Sequence, residues 1–245
     1  MVACSMHNLE FGGKSKEPDI RWLYDIKDVI YDQEWLSKAQ NFELYYMYRD
    51  LFLSRADKDR LIDQRIRYDI TIIPPNMLGR EYIKTAGHYH PAPPGGKATF
   101  PEIYEVLEGE ALCILQKQDL SDVVAVNAYA GDKVLIPPDY GHITINCSNN
   151  TLKMANFVAR DFQSLYEPYR EMGGGAYFYT KDGFIKNPKY TYAVNLRRMD
   201  APDNHQLRAL GMSKGKEMYP LLRDPGRLDF LVNPDEHVDL FQGFV

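Results

Sequence analysis

Between residues 66 and 160 the chain is a succession of short apolar or alternating stretches cut by breaks rich in Gly and Pro, and this pattern limits what it can fold into more than any other feature. The stretches run over 66–73, 81–90, 102–116, 123–129, 133–136, 142–147 and 152–158. The breaks include the 91–101 string PAPPGGKATFP, Asp119-Leu120-Ser121-Asp122, Ala130-Gly131-Asp132, PPDYG and Ser148-Asn149-Asn150. Short strands at such spacing predict a mostly β sandwich or barrel. In the first stretch Ile66, Tyr68, Ile70 and Ile72 alternate with Arg67, Asp69 and Thr71, the two-residue period of a half-buried strand, and Pro74-Pro75 ends it.

Outside this block, residues 26–40 carry Ile26, Val29, Ile30 and Leu36 at helical spacing and predict a short helix. Residues 42–52, rich in Tyr and Leu, are expected to form a strand, 162–172 a helix ended by Gly173-Gly174-Gly175, and 177–179 with 184–185 a hairpin. From Asn195 onward the pattern is irregular or short-helical. No linker interrupts the chain, so one domain over 1–245 is expected, with a strand core at about 42–160, an N-terminal arm at 1–41 and a C-terminal extension at about 190–245 packed on the core or on a partner subunit.

A chain of 245 residues, 44% hydrophobic, can bury a sizeable core. It has no run of about 18 apolar residues, and its start, MVACSMHNLEF, lacks a basic and a long apolar region. No membrane span, no secretory signal and a cytoplasmic location are therefore expected. Cys4, Cys113 and Cys147 form no CxxC pair and fit ordinary thiols in a reducing compartment. A net charge of −5 without long like-charge blocks gives no footprint for nucleic acid. It leaves room for a small phosphorylated ligand, which a few directed donors can hold. The 18 tyrosines against 6 histidines suit the lining of a polar pocket or the cover of a β surface.

Three histidines fall in the strand block. His88 and His90 stand two apart, so in a strand they point to one face and make a two-point metal clamp. Glu102 begins the next strand with Tyr104 and Val106 on its face, and a hairpin partner can bring its carboxylate opposite the imidazoles. His142 opens a later strand and shares its face with Thr144 and Asn146. Three imidazoles and one carboxylate suit Fe²⁺, Mn²⁺, Ni²⁺ or Zn²⁺, and on an octahedral ion they leave two positions for water or substrate.

The order Gly87, His88, His90, Glu102, Gly109, then Gly131, Pro137, His142, Asn146, resembles the two motifs of the cupin superfamily. More narrowly, TIIPPNMLGREYIKTAGHYHP (71–91), PEIYEVLEGEALCILQ (101–116) and VLIPPDYGHITIN (134–146) resemble the cupin-type, or archaeal-type, glucose-6-phosphate isomerases, over about residues 20–170. The resemblance implies a cupin double-stranded β-helix, or jelly-roll, barrel with short flanking helices. It implies a homodimeric aldose–ketose isomerase that interconverts glucose 6-phosphate and fructose 6-phosphate, a step of glycolysis and gluconeogenesis. By position it makes His88, His90, Glu102 and His142 the ligands of one divalent metal per subunit, Fe²⁺ before Mn²⁺, Ni²⁺ or Zn²⁺. Thr71, Thr85, the Gly87 backbone and Tyr45 match phosphate-binding positions, a neutral donor set. The 91–101 loop and the extension beyond about 190 depart from compact members.

Isomerisation moves a proton between C1 and C2 while charge builds on their oxygens, which a bound cation stabilises as a Lewis acid. Glu102 is the candidate base, Tyr104 a candidate for ordering hydroxyls or relaying protons, and His142 their catalytic neighbour; a hydride shift is the competing route. Two further readings stand beside this one. A metal cupin of other chemistry, a dioxygenase or another sugar isomerase, would have no use for the phosphate set, and a non-catalytic sugar-binding cupin would have no need of intact ligands.

Overall fold

The structure is a computed structural model that describes residues 8–192 and 194–245. Cys4 lies outside the described residues. A hairpin of β1 (Leu9–Phe11) and β2 (Lys14–Lys16) leads to β3 (Asp19–Trp22), α1 (Gln33–Leu36), β4 (Glu43–Tyr48), α2 (Arg55–Asp63), β5 (Ile66–Ile73), β6 (Met77–Leu78) and β7 (Glu81–Tyr82). The strand block continues through β8 (Glu102–Glu108), β9 (Glu110–Lys117), β10 (Val123–Tyr129), β11 (Lys133–Ile136), β12 (Tyr140–Ile145) and β13 (Leu152–Ala159). Then come α3 (Glu167–Glu171), the hairpin of β14 (Tyr177–Thr180) and β15 (Gly183–Lys186), β16 (Arg197–Asp200), α4 (Asn204–Ala209) and the 3-10 segments Tyr219–Arg223, Asp229–Leu231 and Pro234–Phe241.

One sheet has the strand order β11-β8-β13-β5-β4-β3 and another β12-β9-β10-β16. From β8 to β13 the chain passes back and forth between them, the winding of a cupin jelly roll. The fold is mostly β, as expected. The barrel is not closed by hydrogen bonds; its two sheets face each other across a shared core that includes Val106, Val134, Ile143 and Met154.

On the inward faces of the larger sheet, apolar side chains fill one end and polar ones the other. Val106, Met154 and Ile73 belong to the core, whereas Glu102 and Tyr104 on β8, Asn156 on β13 and Asp69 and Thr71 on β5 line a pocket. The outward faces are apolar too. Tyr68, Ile70, Ile103 and Phe157 pack under Met218, Tyr219, Phe230 and Leu231 of the C-terminal extension. The strand expected to be half-buried is thus covered on both sides, because the extension supplies a second core.

Local predictions hold for most strands and less well for helices, but of the strand expected over 81–90 only Glu81–Tyr82 forms one, the rest touching its neighbours through single bridges at Lys84, His88 and Tyr89. Residues 102–116 break into β8 and β9 at Gly109, whose φ of 80° turns the chain. The helix expected over 26–40 is a 3-10 segment, Leu23–Val29, followed by α1, since Ile30 is extended and Asp32 caps a fresh start by accepting from the Trp35 amide. Over 162–172 only Glu167–Glu171 is helical, with Pro168 in its first turn, the one place a helix takes proline. β16, in a stretch read as irregular, pairs parallel with β10. Burial pushes the Cys113 thiol up to about 12, while Cys147 is half-buried. Among the described residues no helix is long and apolar enough to cross a membrane.

Candidate active site

The histidine clamp is held by a fragment of strand pairing. The chain just before His90 lies along β12 through single bridges Lys84↔Ile145 and His88↔His142. The His88 amide donates to the His142 carbonyl at 3.3 Å and the His142 amide to the His88 carbonyl at 3.1 Å, so the two residues face each other across the pair. Tyr89 turns the other way into the core and exchanges backbone hydrogen bonds with Leu165. His88 and His90 therefore share a face, and their Nε2 atoms stand 3.1 Å apart.

Glu102 completes the group from β8. Its Oε2 lies 3.5 Å from His90 Nε2 and 3.5 Å from His142 Nε2, and the four ligand atoms lie within 4.8 Å of one another. Asn156, opposite Tyr104 on β13, donates its side-chain NH to Glu102 Oε1 at 2.7 Å. Glu102 Oε2 is buried and has no hydrogen-bond partner among the described residues. A lone carboxylate oxygen among imidazole nitrogens is costly unless a cation joins them, so the residues fit a divalent metal.

Burial sets the charge state of the group. It holds the His88 and His142 imidazoles well below their ordinary range and His90 down to about 4, which leaves them neutral, the form that ligates metal. Burial pushes the Glu102 carboxyl up to about 8. His90 Nδ1 bonds the Phe100 carbonyl at 2.8 Å, which fixes the tautomer with its free lone pair on Nε2. The Tyr104 hydroxyl sits 3.2 Å from His142 Nε2 and against the Glu102 carboxylate.

These residues form one end of a polar pocket that is partly open to solvent. Thr71, Thr85 and Tyr45 line it as well. Thr85 Oγ1 accepts from the Thr144 amide at 3.0 Å, and the Tyr45 hydroxyl meets the Ala86 amide and the Arg21 side chain. Gly87 lies instead along a narrow adjoining recess with Asp25, Asp28 and Arg170, which shares Ala86 and Tyr166 with the pocket. Of the sequence candidates, eight of nine thus meet in one pocket and Gly87 stands beside it.

Other lining residues went unread in the sequence. The pocket holds cations, unlike the expected neutral set: Arg67 Nε meets Asp69 Oδ2 at 2.7 Å, and Arg49 stands 3.7 Å from the same carboxylate. Arg21 lies 5.8 Å over the Tyr166 ring, with a buried Nε that has no partner among the described residues. Asn156 had a signal, a polar side chain at the centre of the apolar run LKMANFVA. Arg67 and Asp69 had one also, because the alternation puts them on the same face as Thr71.

A family model described as glucose-6-phosphate isomerase matches residues 20–195. The glucose-6-phosphate isomerase of Thermococcus onnurineus is 25% identical over 174 residues, 70% of this chain and 86% of that one. Its counterpart in Thermococcus gammatolerans is 26% identical over 70% of this chain and 87% of its own, and that of Thermococcus litoralis 23% over 72% and 90%. Among solved structures, a Lactobacillus farciminis oxalate decarboxylase–formate complex overlaps 51% of this chain and 31% of that one, at 21% identity and a TM-score of 0.38. The match spans less than a third of that relative's length.

Proposed function

Since the chain belongs to the glucose-6-phosphate isomerase family, we propose that it interconverts glucose 6-phosphate and fructose 6-phosphate in the cleft between its sheets, using one divalent metal ion. The observation that carries the reading is the partnerless Glu102 Oε2, 3.5 Å from two imidazole nitrogens, at the end of a pocket that also presents Thr71 and Thr85. His88, His90, Glu102 and His142 hold the ion; the donor set suits Fe²⁺, Mn²⁺, Ni²⁺ or Zn²⁺ alike, and the family resemblance puts Fe²⁺ first.

The bound cation supplies Lewis acidity to the C1 and C2 oxygens, where negative charge builds as the carbon-bound proton leaves. Glu102, only loosely held by the ion, takes that proton and returns it to the neighbouring carbon on the same face. Asn156, holding Oε1, keeps the other carboxylate oxygen turned to the reacting end. Tyr104, between Glu102 and His142, moves the hydroxyl proton between the two substrate oxygens. Thr71 and Thr85 donate to the phosphate with Tyr45, and the Gly87 amide beside the pocket is the fourth donor of the set.

Two copies are expected to associate, through a surface other than the outer face of the larger sheet, which the C-terminal extension already covers. The test of the whole reading starts from protein stripped by a chelator and reloaded with Fe²⁺ or Mn²⁺. Fructose 6-phosphate should then yield glucose 6-phosphate, the stripped protein should be inactive, and the His88→Ala/His90→Ala variant should fold yet bind no metal. Turnover by that variant would sink the site. Run in deuterium oxide, proton transfer labels the product at C1 or C2, whereas a hydride shift leaves it unlabelled.

A further inference from the structure

The 91–101 loop and the C-terminal extension meet at one carboxylate. Asp235, at the start of the 3-10 segment Pro234–Phe241, accepts from the Lys97 amide at 2.8 Å through Oδ2 and from the Ala98 amide at 2.9 Å through Oδ1. Two successive backbone N–H groups on one carboxylate fix the loop in both position and direction, as charge-assisted pairs do. The amides in turn hold the Asp235 carboxyl below the usual range.

Two residues further on, the same loop touches the metal group. The Phe100 carbonyl bonds His90 Nδ1 at 2.8 Å, and the Phe100 amide donates back to the Pro91 carbonyl at 3.0 Å. The Phe100 ring stacks on Phe162 at 4.9 Å, and Phe162 packs on the His90 ring at 4.6 Å. Between these anchors Thr99 Oγ1 accepts from the Asp139 amide at 2.6 Å. From the Asp235 carboxylate to His90 Nε2 there is thus a continuous path of two amides, two residues of tethered chain, one carbonyl and one imidazole.

We propose that Asp235 is a positioning residue for the isomerase: the extension grips the loop through it, and the loop sets the tautomer and tilt of His90. The proposal rests on His90 being a metal ligand. The carbonyl is the partner that a ligating histidine needs on its other nitrogen, and its place depends on a loop rich in Pro and Gly that no strand pairing holds. The extension adds a restraint from outside the pocket to those of Pro91, Phe162 and Asp139, so Asp235 itself meets neither substrate nor metal.

Asp235→Asn keeps the shape but presents an NH₂ to an amide, and Asp235→Ala removes both acceptors. Glu236→Gln makes the same change of charge one residue away. Three quantities separate positioning from simple support: hydrogen exchange of the Lys97 and Ala98 amides, Mn²⁺ affinity from the EPR signal of the free ion, and the kcat and KM for fructose 6-phosphate. In both Asp235 variants exchange should quicken about tenfold, Mn²⁺ binding should weaken roughly 3- to 10-fold and kcat should fall by a similar factor with KM nearly unchanged, a step milder than direct loss of a ligand's hydrogen-bond partner. Glu236→Gln should match the parent in all three. Quicker exchange with unaltered Mn²⁺ affinity and kcat would overturn the relay alone, as would unaltered exchange. A parent protein that binds no Mn²⁺ would overturn the metal reading, and the relay with it.

Discussion

The buried Asn156 side chain, which donates to Glu102 Oε1 at 2.7 Å, orients the Glu102 carboxylate. Asn156→Leu keeps the volume and removes the donor, so Glu102 is free to rotate and its second oxygen loses its aim at the imidazoles. A loss of about 10- to 100-fold in kcat is expected, as for other groups that orient a metal ligand, with metal content reduced and circular dichroism unchanged. Full activity in Asn156→Leu would remove Asn156 from the site. For phosphate recognition Thr71 is the cleaner probe, because Thr85 Oγ1 also satisfies the Thr144 amide and its loss strands a backbone donor. Thr71→Val should raise the KM for fructose 6-phosphate roughly tenfold, the worth of one hydrogen bond to a charged group, with kcat nearly unchanged. A KM for unphosphorylated fructose that rose equally would count against the assignment.

At the scale of elements, strands were readable because period-two alternation is a local property. β5 runs over the predicted 66–73, and the His88/His90 clamp follows from the same period wherever the partner strand lies. What joins the clamp to His142 and Glu102 was readable only through the resemblance to the cupin motifs, since the His88↔His142 bridge links positions far apart in the chain and no local pattern names a partner. The helices over 26–40 and 162–172 were overdrawn, because spacing alone misses the restart at Asp32 and the limit that Pro168 sets. Gly87 shows how tightly the bridging segment is built. Its φ is +77°, and a Cβ there would come within 2.8 Å of Ile143 Cγ1 and 2.9 Å of Tyr169 Cδ1. Gly87→Ala should cost about 1–2 kcal/mol from the left-handed backbone alone, and more from the clash. Calorimetry should show a fall in Tm for both stripped and Mn²⁺-loaded protein, larger when loaded since His88 is displaced; an unchanged Tm in both would show that the segment yields freely.

At the scale of the molecule, the second core explains why an apolar face of β5 belongs to no barrel interior. Ile66, Tyr68 and Ile70 look outward, and Phe230, Leu231 and Leu222 of the extension bury them. Sequence showed that the face is apolar but not what covers it, because the cover lies more than a hundred residues away. Phe230→Ala should therefore cost about 3–5 kcal/mol, as in any packed core, and lower the Tm of the whole domain rather than release a separate unit. The polar ties that hold the extension to both sheets add a dependence on pH. Arg223 on the extension reaches the buried Asp57 of α2 at 3.2 Å and holds its carboxyl below the usual range; Arg197 on β16 does the same to Asp122 through two bonds of 2.7 Å. A carboxyl depressed in the folded state stabilises it above the ordinary carboxylate pKa of about 4, and that contribution is lost as pH falls through the lowered values. The extension should accordingly loosen in acid while β9 and β10, which lie in the inner core, stay protected. Hydrogen exchange between pH 5 and 3 should show amides of 219–231 opening first. In the Asp57→Asn/Asp122→Asn variant stability should be lower at pH 7 and decline less over that window, and parallel curves for parent and variant would mean that these two pairs do not link the extension to pH.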